Sequence, residues 1–174
     1  MSGHVLQDGE EIALWANGGD WIATWYPPDD EPSGQAHGAT GICIATDGLV
    51  LISPDGERWG FPGGRTEAGE TWRDTLDREM LEEACATVVD ARLLGFMWAE
   101  CRTGHEKGLV LVRSTWRAEV ELADWLPQFE VPHRRVVPIS DLAAHLWMEE
   151  GFEPIYRRQL HEAGLPYPGS ELAS

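Results

Sequence analysis

Hydrophobic and polar positions change period several times along the chain. Residues 11–16 and 21–26 are β-prone runs that flank Asn17-Gly18-Gly19-Asp20. An Asn-Gly step tolerates the left-handed backbone of a tight turn, so the pattern predicts a β-hairpin. Residues 27–34 are polar and turn-rich and read as a connector. Residues 40–45 and 49–53 predict short strands joined at Asp47-Gly48, and 58–61 a third strand after Asp55-Gly56. Pro62-Gly63-Gly64 ends that strand and opens a loop running to Glu70.

The period then lengthens. Thr71 predicts a helix N-cap, with Asp74 three positions on completing a capping box. Trp72, Leu76, Met80 and Ala84 recur every four residues, the stripe of an amphipathic helix facing a core. Residues 88–98 and 109–120 predict strands separated by the polar loop 102–108, and 136–139 another short strand. A helix is expected from Ser140 or Asp141 through Met148, and a last one over 153–163 before Gly164. Strands on both sides of a central helix, with helix at the end, indicate an α/β layered domain.

Composition narrows the function classes. At 174 residues the chain supports one good core. Its 30 acidic against 13 basic residues give a net charge of −17. Such a field repels phosphate backbones and argues against non-specific nucleic-acid or anionic-membrane binding. A small phosphorylated substrate stays compatible, because a bound divalent cation reverses the local sign. Cys43, Cys85 and Cys101 lack CxxC spacing and read as reduced thiols of a cytoplasmic protein. The first eleven residues are acidic and polar, unlike a secretory signal, and no apolar run approaches the roughly 20 residues of a membrane span.

Chemistry concentrates between Gly64 and Ala86. Glu79 and Glu82 are three apart and Glu79 and Glu83 four apart, so the three carboxylates share one side of the predicted helix. Like charges at these spacings repel by about 0.2–0.5 kcal/mol per pair, and burial beside a sheet raises their pKa values. A hard divalent cation such as Mg²⁺ relieves that conflict through oxygen ligands. Arg78, four before Glu82, is placed to orient a carboxylate, and Glu70 to return to the cluster from the loop. Gly64 lets a backbone carbonyl approach an ion with no side chain in the way.

This stretch resembles the signature of the Nudix hydrolases, Gx5Ex7REUxEExGU with U a bulky aliphatic residue. Gly64, Glu70, Arg78, Glu79, Met80, Glu82 and Glu83 stand in register with it. The resemblance implies an α/β/α sandwich with a mixed sheet over 37–174, preceded by an N-terminal extension (1–36) carrying the hairpin. It implies hydrolysis of a nucleoside diphosphate linked to another group, with Mg²⁺ or Mn²⁺ bound by Glu79, Glu82, Glu83 and the Gly64 carbonyl. Glu79 is the candidate ligand or base, Arg78 the orienter, and Glu130 a further candidate on a later loop. The family's later glycine is Cys85 here and its last aliphatic position is Ala86, so an altered helix-to-strand turn is expected, with Val88 and Val89 supplying the apolar role. Residues 93–104 contain neither proline nor tyrosine, which favours a nucleoside triphosphate or nucleotide sugar over ADP-ribose or dinucleoside polyphosphates. The alternative is a Nudix-like domain that binds or senses a nucleotide with little turnover.

Other groups carry two readings each. Trp15, Trp21, Trp25 and Tyr26 either stack on a nucleobase or serve as cross-strand packing or a homodimer contact at the hairpin edge. His105 and Lys107 either touch phosphate or are solvated loop residues. His133-Arg134-Arg135 either form an anion patch or pair with nearby acids.

Overall fold

The computed structural model describes residues 3–126 and 132–167. Strands β1 (Glu11–Ala16) and β2 (Gly19–Tyr26) pair across Asn17 and Gly18, whose φ values of 49° and 75° make the expected left-handed turn. The hairpin does not stand apart, because β2 continues by pairing with β6 (Ala86–Cys101). With β3 (Gln35–Ala45), β4 (Gly48–Ser53), β7 (Val110–Leu122) and β8 (His133–Val137) the order is β1-β2-β6-β7-β3-β4-β8. A short β5 (Gly63–Arg65) pairs with β3. Strands β3 and β7 run parallel and the other pairs antiparallel, so the sheet is mixed.

Alternation along the strands divides the interior into two cores. On one face Ala39, Cys43 and Val50 pack against Leu76, Met80 and Ala84 of helix α1 (Trp72–Ala84). On the other, Ile42, Leu49 and Leu51 pack with Trp25, Leu94, Leu142 of α2 (Leu142–His145), and Ile155 and Leu160 of α3 (Glu153–Glu162). The result is an α/β/α sandwich. Among the described residues no helix is long and apolar enough to cross a membrane.

Several local expectations give way to tertiary contacts. Residues 58–61 are not a strand: Asp55 Oδ1 accepts from the Glu57 and Arg58 amides at 2.9 and 2.8 Å, and the bent segment keeps only isolated bridges from Gly60 to Ile52 and from Trp59 to Leu146. The loop after Pro62 contains β5, because Gly38 and Gly63 let backbones approach where a Cβ would collide. The expected helix 140–148 shrinks to a 3-10 turn (Ile139–Asp141) and α2. Leu146 turns extended there, and the Trp147 amide donates to the Trp59 carbonyl at 2.9 Å. Strand β8 begins at His133 and ends before Pro138, which has no amide to extend the ladder.

The exit of α1 also departs from expectation. Cys85 itself adopts the left-handed cap, φ 49° and ψ 43°, and its amide donates to Leu81 O. The turn that a glycine makes is therefore kept, with cysteine bearing the strain. Ala86 is fully buried and Val88 packs on the α1-side core, whereas Val89 is exposed.

Candidate active site

Helix α1 is held at its start by a reciprocal capping box: Asp74 N donates to Thr71 Oγ1 at 3.1 Å and Thr71 N to Asp74 Oδ2 at 3.0 Å. Burial of Leu76, Met80 and Ala84 then fixes the helix rotation. Glu79, next to Met80, is carried inward and is only 6% exposed, while Glu82 and Glu83 are half-buried. The Glu79 carboxylate lies directly against Gly64, where any Cβ would overlap its Cδ and both oxygens. Gly64 is thus required by side-chain approach on this face, and its carbonyl oxygen lies against Gly38.

Arg78 gathers the acids. Its Nε and Nη2 donate to the two oxygens of Glu70 at 2.8 and 2.9 Å, a bidentate fork. Its Nη1 donates to Glu79 Oε1 at 2.7 Å and Glu82 Oε2 at 3.1 Å, and Nη2 also reaches the Arg65 carbonyl at 2.7 Å. The repulsion among carboxylates foreseen from their spacing is offset by this one guanidinium. Hydrogen bonds from Arg78, with others from the Glu67 amide and Thr75, hold the Glu70 carboxyl down at about 2. Burial pushes the Glu79 carboxyl up, against the opposing pull of Arg78. The same partners push the Arg78 guanidinium further above its ordinary range.

Among the described residues no three His, Cys, Asp or Glu side chains already converge at metal-holding spacing. The donor chemistry nevertheless fits a hard cation. The available groups are carboxylate oxygens, and the bonds from Arg78 Nη1 engage one oxygen of Glu79 and one of Glu82, leaving Oε2 and Oε1 outside them. Glu83 shares this helix face; Glu130 lies outside the described residues.

Across the sheet from α1 is a cavity of about 450 Å³. The hairpin contributes Leu14, Asn17 and Trp21, α3 contributes Ile155, Tyr156 and Gln159, and Phe61 and Phe152 complete the apolar wall. Its polar side is His37, Thr40 and Arg113. Arg113 Nε donates to Thr40 Oγ1 at 2.9 Å and Nη2 to the Ala39 carbonyl at 3.3 Å, with Nη1 3.5 Å from His37 Nδ1. A Cβ on Gly63 would touch Arg113 Nη2 at 3.0 Å, whereas one on Gly64 would strike Glu79. Consecutive strand residues face opposite ways, so two glycines of β5 separate the cation of the cavity from the acid of the helix. Burial lowers the Arg113 and His37 pKa values, with the positive charge of Arg113 adding to the effect on His37.

Sequence reasoning passed over both Arg113 and Gln159. The available signals were one arginine inside the apolar run 110–116 and a glutamine four after Ile155 on the inner stripe of α3. The aromatic residues singled out in the sequence split up: Trp21 lines the cavity, Trp25 is core beneath the Arg158 guanidinium, and Trp15 is 66% exposed. His105 and Lys107 lie in the exposed 102–108 loop. Arg134 and Arg135 follow neither reading proposed for them. Arg134 donates to the Ala84 and Ala123 carbonyls, capping α1, and Arg135 stacks on Trp59 at 4.4 Å. All three cysteines are free.

The NUDIX domain profile matches residues 34–159. No protein of curated function matches the chain in sequence. Among solved structures, the pyrophosphohydrolase BsRppH of Bacillus subtilis (E68A mutant) superposes with a TM-score of 0.63 at 23% identity, covering 83% of this chain and 92% of that one. A NUDIX hydrolase from Nitrosomonas europaea gives 0.54 at 20% identity, covering 78% and 93%. A structure from work on MutT of the fish pathogen Aliivibrio salmonicida and of Vibrio cholerae gives 0.53 at 21%, covering 74% and 99%. These likenesses establish the fold, and the profile, spanning well over half the sequence, establishes the lineage. The chain belongs to the Nudix family.

Proposed function

We propose that this enzyme cleaves the diphosphate linkage of a nucleoside diphosphate derivative, a nucleoside triphosphate or a nucleotide sugar, with Mg²⁺ or Mn²⁺ held by Glu79, Glu82, Glu83 and the Gly64 carbonyl. The observation that carries this reading is the Arg78 fork, which locks Glu70, Glu79 and Glu82 into one oxygen-rich edge beside Gly64. A divalent ion bound there supplies polarisation of the phosphoryl oxygens and a water of lowered pKa. Glu79, desolvated and adjacent, is the candidate to take the proton of the attacking water or to serve as a ligand, a reading that its burial supports. Arg78 keeps the carboxylates from splaying as charge builds on the phosphoryl group. Glu70 anchors the loop through both of its oxygens and acts by positioning Arg78. The aromatic cavity across β5 receives the non-reacting part of the substrate.

The test is phosphate or pyrophosphate release from a panel of nucleotide diphosphate derivatives with Mg²⁺ and Mn²⁺. Wild type is expected to turn over at least one compound, and Glu83→Gln and Glu79→Gln to lose about 10²-fold or more. Equal inactivity of wild type and variants on the whole panel contradicts the proposal.

A further inference from the structure

The cavity holds a polar atom that the fold leaves without a partner. Gln159 sits on the inner face of α3, only 6% exposed, and its Nε2 donates to Thr115 Oγ1 at 3.2 Å. That bond directs the other end of the amide, and Oε1 is buried with no hydrogen-bond partner among the described residues. Buried acceptors are nearly always satisfied, so an orphan lining a cavity is a vacant place for a donor. The flanking walls are the rings of Trp21, Phe61 and Tyr156.

A second group at the other end of the polar side defines an axis. Arg113 is bonded to a hydroxyl and a carbonyl and lies beside an imidazole; none of these is a carboxylate, and Glu79 balances its charge only at longer range across β5, so its donors can still meet an anion in the cavity. Arg113 and Thr115 are two residues apart on β7 and face the same way, about 6.5–7 Å apart along the strand. A base edge held at Gln159 leaves the Arg113 end of the cavity, which adjoins Gly63 of β5, for the phosphate.

From these placements we infer that the cavity is a base-reading subsite. Gln159 Oε1 accepts an N–H of the substrate's base, the aromatic rings hold its faces, and Arg113 takes a phosphoryl oxygen. The inference rests on the proposed reading that the substrate is a nucleotide, and it names the feature selected: a base whose edge carries an N–H. A base without that donor leaves Oε1 buried and unpaired, which is the strongest form of discrimination available to a pocket.

Binding of three nucleotides without divalent cation, followed by calorimetry or tryptophan fluorescence, tests this apart from turnover. Adenosine and guanosine 5′-diphosphate carry base N–H groups; purine-riboside 5′-diphosphate carries none. Wild type is expected to bind the purine-riboside compound at least about 10-fold more weakly than one of the other two. Gln159→Leu should erase that preference by weakening only the N–H-bearing ligands, and Gln159→Glu, which keeps an acceptor, should retain it. Equal affinity of wild type for all three, no binding of any, or full preference in Gln159→Leu overturns the inference. Hydrolysis with Mg²⁺ is scored separately: intact base preference without hydrolysis of any compound sinks the hydrolase proposal and leaves the base-reading subsite standing.

Discussion

The two faces of the sheet bury arginine in opposite ways. On the α1 face, Arg78 is surrounded by Glu70, Glu79 and Glu82, and its donors are spent on fixed acceptors. On the cavity face, Arg113 is covered by Thr40, the Ala39 carbonyl, His37 and the bare backbones of Gly38 and Gly63. The first arrangement is saturated and so holds a geometry. The second is only partly compensated: no carboxylate bonds Arg113 directly and Glu79 acts on it at longer range across β5, so the desolvated cation is poised for an anionic ligand. Rigidity and receptivity are separated by two glycines of one short strand.

Variants of the two arginines should break that contrast cleanly. Arg78→Gln releases three carboxylates at once, and kcat/KM is expected to fall by about 10–100-fold or more. Arg78→Lys should not rescue it, because one ammonium cannot reproduce the fork. Arg113→Met is expected to raise KM by about 10-fold with kcat largely retained, while thermal stability holds or improves, since a buried and only partly compensated charge is replaced by an apolar chain. Steady-state kinetics and a melting curve on each variant decide. Loss of kcat in Arg113→Met, or loss of KM alone in Arg78→Gln, would reverse the assignment of the faces.

A pH dependence sharpens the α1 side. Glu70 titrates at about 2 in the folded chain, against an ordinary 4.5. Its contribution to stability is therefore complete above about 4.5 and is lost as pH falls toward 2. Denaturation midpoints measured across that window should decline more steeply in wild type than in Glu70→Gln. The smallest effect is at the helix exit. Cys85→Gly should stabilise by about 1 kcal/mol by relieving the left-handed strain, with activity unchanged, as chemical denaturation would show.

The same division explains what could be read in advance. The hub from Gly64 to Glu83 was legible because it is local: a capping box at Thr71, a four-residue stripe, and acids at helical spacing are all set within one loop and helix. The hairpin was legible from Asn17-Gly18 for the same reason. The cavity was not, because it assembles β1, β2, β3, β6, β7 and α3, and a lone Arg113 or Gln159 has no meaning until those elements meet. Strand β5 exists only because Gly38 faces it, and α2 stops where the Trp59 carbonyl captures the chain. At Cys85 the residue type misled, as the fold kept the backbone conformation and accepted the strain.

The central claim is that the oxygens organised by Arg78 receive a divalent cation. Mn²⁺ titration of wild type, Glu79→Gln and Glu82→Gln, followed by electron paramagnetic resonance, tests it most directly. The account predicts Mn²⁺ binding to wild type that weakens by at least about 10-fold in each variant. Binding of equal strength in all three would contradict it.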